Sequence, residues 1–391
     1  MDVELARWLV SADARPALAE ASRQADPGSL AVATALRRSW PAEQAAAASS
    51  QVELRRRAAG KFGGRAERMF FTPDGLEQAT RAEVAAWRAS RFVAAGVREV
   101  VDLGCGLGAD ALAFATAGLK VIAVEADPAT AVLAAANLDG LGEVICGDAV
   151  TLAPQLLANG AAVFIDPARR TASGRTWRVS DFSPPWDFAT SLLAGRFGCI
   201  KAAPGLPSTL IPDGVAATWV SHRGDLVETS LWCLTEPRKG RRAVLLPSGA
   251  ELDAGERREP PSGPIGGYLY EPDPAVIRAG AIGALAEALH ARAASPGIAY
   301  LFADKLIATP FATAFEVLET LPNDERTLRA WLREHQIGIL EIKVRGLDVD
   351  PAVLRKRLKP RGSRSATLIL TPTTDGARAL VAQRTDARPS K

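Results

Sequence analysis

Four acidic residues and three glycines fall at spacings that suit a nucleotide-like ligand. Gly104, Gly106 and Gly108 lie within "VVDLGCGLGADALAFATAGLKVIAVEADP", which runs from Val100 to Pro128. The stretch reads as a buried strand, a glycine-rich turn, a helix and a second strand ending on an acid. Glycine lets the backbone approach a ligand closely, and the start of a helix offers free N–H groups. Asp102 stands just before the first glycine, and Glu125 follows about 20 residues beyond it. Asp148 closes "GEVICGD", and Asp166 closes the apolar run of "AAVFIDP". "GCGLGA" also fits the loose dinucleotide fingerprint. On the glycines and Glu125 alone, a dinucleotide and S-adenosylmethionine stand nearly even.

Three further features separate them. A carboxylate at Asp102 repels a pyrophosphate but can engage a positively charged amino-acid group. A carboxylate at Asp148 can accept from an adenine amino group. Asp166-Pro167 falls at the carboxyl edge of the fourth strand, where ligands of such sheets bind. Any one strand-end Asp is equally a helix N-cap or turn former; the inference lies in the combination. With four acids ending four consecutive strands, the stretch from Val97 to Leu234 resembles class I S-adenosylmethionine-dependent methyltransferases. The resemblance implies S-adenosylmethionine as cofactor, held by Asp102, Gly104, Gly106, Gly108, Glu125 and Asp148, with Glu125 on the ribose hydroxyls.

"MFFTPDGLEQATRAEVAAWRASRF" ahead of that stretch resembles the trimethylguanosine synthase branch, which also has an aromatic–Thr-Pro turn and a helix there. This implies Phe71, Thr72 and Pro73 as cofactor or substrate contacts, Phe71 and Thr72 on the cofactor; a turn with a core aromatic is the plainer reading. The chain departs from the branch at the fourth motif. The synthases carry Ser-Pro-Pro-Trp at that strand end, whereas here it reads "FIDPARR", and "SPPW" comes later, at Ser183 to Trp186. "DPARR" instead resembles the DPPY and DPPR motifs of nucleic-acid methyltransferases, whose loop positions an exocyclic amino nitrogen. Asp166 and Pro167 are then the candidate catalytic residues, and Arg169 and Arg170 candidate contacts to a substrate phosphate. Trp177 and Trp186 are candidates for stacking on a base or for core packing.

"EIKVRGLDVDPAVLRKRLKPRGSRSATLILTP" resembles the THUMP-like domain of a bacterial branch of these enzymes, named for its likeness to an RNA-binding module. "YLYEPDP" is familiar from the same branch. Val353 to Arg364 carries six basic residues and no acid, a pattern that neutralises phosphates. Arg355, Lys356 and Lys359 are the candidate RNA contacts there. Gln51 to Arg68 holds six more basic residues against two acids.

These residues need a scaffold, and the pattern supplies one. Residues 1–95 carry apolar positions at helical spacing. The turn Thr72-Pro73-Asp74-Gly75 interrupts them, since Pro73 cannot continue a helix. From Val97 strands alternate with helices ("REVVDL", "KVIAVE", "GEVICGD", "AAVFIDP", "FGCIKAAP"), which predicts a parallel, doubly wound sheet. "TWVSHRGDLVETSLWCL" fits an antiparallel hairpin at its edge. After a Gly- and Pro-rich linker, a helix from Pro274 to Ala294 leads into further strands and helices. The expected organisation is a helical region over 1–95, a methyltransferase domain over 96–265 and a THUMP-like domain over 266–391. The expected fold class is therefore α/β: a Rossmann-like class I methyltransferase sheet, an N-terminal helical region and a small C-terminal α/β domain.

Bulk composition narrows the rest. The chain has 391 residues, 48% hydrophobic and 23% charged, with a net charge of +3. That charge does not by itself identify a nucleic-acid partner. The four cysteines are widely spaced and read as reduced, buried thiols, with neither a disulfide framework nor a metal site. His222, His290 and His335 read as non-catalytic. No basic leader and no apolar run of about 18 residues appears, so the expectation is a soluble, cytoplasmic protein that contacts no membrane. A methyltransferase for a small molecule or a protein, and a non-enzymatic RNA-binding protein keeping the fold, are the rival readings.

Overall fold

A computed structural model describes residues 1–24, 26, 29–169, 181–233, 240–256 and 258–385. The chain divides into two compact units, residues 1–216 with 229–239, and residues 217–228 with 240–391.

The first unit opens with helices α1 (Val3–Val10), α2 (Arg15–Ser22), α3 (Leu30–Leu36), α4 (Ala42–Phe62), α5 (Pro73–Gln78) and α6 (Ala82–Ala94). Thr72 does not simply break the helical pattern. Its hydroxyl accepts from the Gly75 N–H at 3.1 Å, so Thr72 is the N-cap and Pro73 the first residue of α5, a position where the missing proline N–H costs nothing. Strands β1 (Glu99–Leu103), β2 (Lys120–Glu125), β3 (Glu143–Cys146) and β4 (Ala162–Ile165) then alternate with helices α7 (Ala109–Thr116), α8 (Pro128–Leu138) and α9 (Ala149–Leu156). A short ladder, β5 (Ala168–Arg169) with β6 (Phe182–Ser183), precedes α10 (Trp186–Ser191) and β7 (Gly198–Ala202). The parallel order is β3-β2-β1-β4-β7. Residues Thr229 to Cys233 of β9 (Asp225–Cys233) add antiparallel to β7. This is the expected doubly wound sheet. β1 and β4 are nearly or wholly buried, as strands covered on both faces must be. An aromatic cluster supports them: Phe92 lies 4.8 Å from Phe114 and 4.9 Å from Phe197, and Phe114 lies 5.4 Å from Phe164.

The second unit holds β8 (Ala216–His222, from Ala217), β10 (Arg241–Leu246) and β11 (Ala250–Asp253). Arg223 and Gly224, both at positive φ, make the two-residue turn from β8 into β9. β8 is not an edge: β10 pairs with it in parallel. The unit continues through β12 (Tyr268–Pro272), α11 (Pro274–Ala279), α12 (Ile282–Ala288), β13 (Arg292–Ala293), β14 (Leu301–Ala303), β15 (Ala312–Pro322), α13 (Glu325–Glu334), β16 (Ile337–Val344), α14 (Pro351–Leu358), β17 (Arg364–Thr373) and β18 (Gly376–Arg384). The helix expected over 274–294 is two short helices, parted at Gly280, whose φ of 74° ends the first. A seven-stranded sheet within this unit runs β13-β14-β12-β15-β18-β17-β16. Helices α13 and α14 bury Leu328, Leu332, Leu354 and Leu358 against one core of this sheet. No described helix is long and apolar enough to cross a membrane.

Candidate functional site

Strand register puts the four acids at one edge. Leu103 pairs with Val124 and with Ile165, Ile165 pairs with Ile200, and Glu125 pairs with Cys146. Each acid therefore sits at the carboxyl end of the sheet, beside the turn that carries the glycines. Gly104, Gly106 and Gly108 all have positive φ, at 84°, 55° and 79°. At Gly108 the requirement is doubled, because a Cβ there would lie 2.7 Å from Leu138 Cδ1. The turn is pinned by Val124, whose carbonyl accepts from the Gly104 and Cys105 N–H groups at 2.8 and 2.9 Å. The Glu125 carboxylate accepts from the N–H groups of Gly106 and Asp127, both at 2.9 Å.

Asp102 is 1% exposed, and neither of its carboxylate oxygens has a hydrogen-bond partner among the described residues. Burial pushes its carboxyl well above the usual range, and the nearby charges of Asp110 and Asp166 push the same way, against Arg88 and Lys201. A buried carboxylate without a partner is costly, and a cation delivered to it relieves that cost. Asp110, in the first turn of α7, contrasts with it. It accepts from Thr80 at 2.6 Å and from Arg88 Nε at 3.0 Å. Burial raises its pKa, but the charges of Arg88 and Lys201 and the hydrogen bonds from Thr80 and Arg88 together outweigh this and hold it below the ordinary value. Arg88 is fully buried, donates to Ser230 Oγ at 3.0 Å and lies 4.9 Å over the Phe164 ring. Cys105, inside the turn, is a thiol held protonated: burial and the charges of Asp102 and Glu125 push it well up.

Asp148 is exposed and caps α9, its Oδ1 accepting from the N–H and hydroxyl of Thr151 at 2.8 and 2.9 Å. Asp166 is half-buried and ion-paired with Lys201, the residue that follows Ile200 on β7. Pro167 is buried behind it. Lys201 escaped the sequence reading because its place beside Asp166 depends on β4–β7 pairing, not on a local motif. The later Ser-Pro-Pro-Trp also returns to this region. Ala168 pairs with Ser183 and Arg169 with Phe182, and Pro184 Cδ lies 4.0 Å from where a Gly104 Cβ would be. Trp186, however, is 3% exposed, 4.9 Å from the Phe182 ring, and donates to the Leu210 carbonyl at 3.2 Å. It is a core residue. Phe71 is likewise wholly buried, 5.6 Å from Phe62. Arg169 lies on β5, while Arg170 and Trp177 lie outside the described residues.

The two basic clusters differ. Between Gln51 and Arg68, most of the charge ties the fold together. Arg55 Nε donates to the Met69 carbonyl at 2.9 Å, Arg56 to that of Gln24 at 2.6 Å and Lys61 to that of Leu76 at 2.6 Å, and Arg65 reaches Thr116 Oγ1 at 3.3 Å. In the second unit Arg357 is ion-paired with Glu325. Arg355, Lys356 and Lys359 are exposed, and no carboxylate among the described residues pairs with them. "YLYEPDP" is structural: Tyr270 bonds Ile307, Glu271 pairs with Lys343 at 2.7 Å, and Asp273 accepts from Ser221 at 3.0 Å. Of the cysteines only Cys199 is buried; Cys146 is exposed because β3 is the sheet's edge. Among the described residues no three His, Cys, Asp or Glu side chains gather as metal ligands.

Comparison with known proteins adds relatives over nearly the whole chain. Residues 312–384 match the model of the THUMP domain-like family, and residues 2–58 match that of a domain of unknown function. The chain is 35% identical, over 81% of its length, to a protein of two Mycobacterium tuberculosis strains, described as an uncharacterized S-adenosylmethionine-dependent methyltransferase, and covers 90% of that protein. A crystal structure from Porphyromonas gingivalis W83, designated a methyltransferase, shares the fold with a TM-score of 0.77, at 24% identity and with 99% of each chain covered.

Proposed function

This chain belongs to the S-adenosylmethionine-dependent methyltransferases, and we propose that it methylates a base nitrogen in RNA. Its cofactor is S-adenosylmethionine, which supplies a methyl group on a reactive sulfonium. The residues present suit that group. The buried Asp102, with no hydrogen-bond partner among the described residues, can take the ammonium of its amino-acid end, the glycines let the turn's backbone approach closely, Glu125 can take the ribose hydroxyls and Asp148 the adenine amino group. Phe71 acts from inside the core and Thr72 through the start of α5, both as walls of the site, which is the part the trimethylguanosine synthase-like pre-motif would play.

Transfer to nitrogen chiefly needs approach and orientation. Asp166 accepts a hydrogen bond from the acceptor's N–H and aims its lone pair, Pro167 fixes the backbone that follows, and Lys201 holds the carboxylate in place. Arg169 and Arg170 meet a phosphate of the same strand. The observation that carries the RNA reading is the exposed trio Arg355, Lys356 and Lys359 on and just after α14, inside the stretch matched to the THUMP domain-like family. Cations without carboxylate partners are free to displace counterions from phosphates. The test is RNA binding by the full chain over a range of salt. Changing all three residues to Ala should make the log–log salt slope shallower by about 2, given about 0.7 per single-strand contact. An unchanged slope contradicts the reading and moves the acceptor to a small molecule or a protein.

A further inference from the structure

Asn137 lies near the end of α8 and is 6% exposed. An amide so buried needs its hydrogen bonds, and Asn137 makes three. Its Oδ1 accepts from the Phe70 N–H at 2.7 Å, and its Nδ2 donates to the carbonyls of Phe70 at 3.0 Å and Leu107 at 2.9 Å. Phe70 opens the segment that leads into α5, and Leu107 stands between Gly106 and Gly108. One side chain thus ties the segment from Met69 to Gln78 to the cofactor turn. A second contact joins the same two pieces, since a Cβ at Gly75 in α5 would lie 2.7 Å from Leu107 Cδ1. The segment's other side is fastened to α4. Gln51 Oε1 accepts from the Phe71 N–H at 3.2 Å, Arg55 holds the Met69 carbonyl, and Lys61 holds the carbonyls of Leu76 and Ala79.

We infer that Asn137 is a positioning residue for cofactor binding, setting the glycine turn by clamping Leu107 to a segment that α4 keeps fixed. It rests on S-adenosylmethionine dependence and not on the RNA reading, so it stands or falls without an acceptor. Without the clamp, Leu107 and its flanking left-handed glycines lose their fixed course, and the cofactor must order them on binding.

The test uses the full chain and S-adenosylmethionine alone. Calorimetric Kd values are measured for the parent, Asn137→Leu, Asn137→Asp and, as a control in the core of the same helix, Leu133→Ala. Asn137→Asp keeps the acceptor for Phe70 but sets a carboxylate against two carbonyl oxygens. Both Asn137 variants should bind about tenfold more weakly, the scale of one or two net hydrogen bonds. Leu133→Ala should lower the melting midpoint and leave Kd within about twofold of the parent, since packing alone does not set the turn. In the parent, cofactor should slow amide exchange at Phe70, whose N–H is donated to the Asn137 side chain. A parent-like Kd in a folded Asn137 variant overturns the inference, as does an equal Kd loss in Leu133→Ala. If neither Asn137 variant folds, exchange at Phe70 in the parent decides, and indifference to cofactor overturns it.

Discussion

Asp102 and Asp110 flank the glycine turn, both buried, and are driven in opposite directions. Arg88 and Thr80 hold Asp110 as an anion, while Asp102 has no hydrogen-bond partner among the described residues and burial pushes it toward its neutral form. The sign for Asp102 follows from linkage. Its folded pKa lies above the unfolded value of about 3.9, so its contribution is full below that value and is lost as pH rises through the folded pKa. Asp102→Asn should therefore raise the melting midpoint of the cofactor-free protein, more at pH 8 than at pH 4; a pH-independent difference contradicts this. The same variant should weaken cofactor binding roughly 10- to 100-fold, as loss of a charge-assisted hydrogen bond does. Removing Arg88 acts the other way. Arg88→Leu leaves Asp110 buried and unpaired and should cost about 3–5 kcal/mol in denaturant titration; a change below about 1 kcal/mol would show that Asp110 finds another partner. Asp102, Glu125 and the glycines were legible because their spacing is local. Arg88, Lys201 and Asn137 were not, because each finds its partner 22 to 67 residues away, and nothing in the residue type announces the pairing.

The strand–turn–helix units of the sheet were legible as elements, because buried parallel strands are continuous apolar runs cut by glycine and acid. Element ends were less so. Thr72-Pro73 reads equally as a turn or as a helix start, and only the hydrogen bond from Gly75 to Thr72 decides. Asp148 reads as a ligand or a cap; in the structure it caps α9, which leaves the adenine role a proposal for its remaining oxygen. The helix over 274–294 was drawn too long because Gly280 looks like any small residue until its φ is known. The packing of α8 against the glycine turn makes its own prediction. Gly108→Ala meets both a left-handed backbone, costing about 1–2 kcal/mol, and the Leu138 side chain. It should lower the melting midpoint and weaken cofactor binding together; a parent-like midpoint would mean the turn has shifted to admit the methyl.

For the whole molecule, the sequence organisation anticipated the α/β methyltransferase sheet, the helical start and the THUMP-like end, each with its own hydrophobic pattern. It did not anticipate that Arg55, Arg56 and Lys61 of α4 are spent on carbonyls within the first unit while Arg355, Lys356 and Lys359 have no carboxylate partner among the described residues, since both runs look alike in one dimension. On the function proposed above, the exposed trio would meet an acceptor's phosphates and Asp166 would carry the chemistry. Asp166→Ala should keep the parent's cofactor Kd within about threefold, under 1 kcal/mol, and lose turnover. Equal loss of both would make Asp166 a cofactor contact only. The central claim is most directly tested by transfer of labelled methyl from S-adenosylmethionine into total RNA from cells lacking this protein, with products split by RNase and protease. The account predicts RNase-sensitive label that disappears with Asp166→Ala. Label found only in protease-sensitive or small-molecule fractions, with cofactor binding intact, would contradict it.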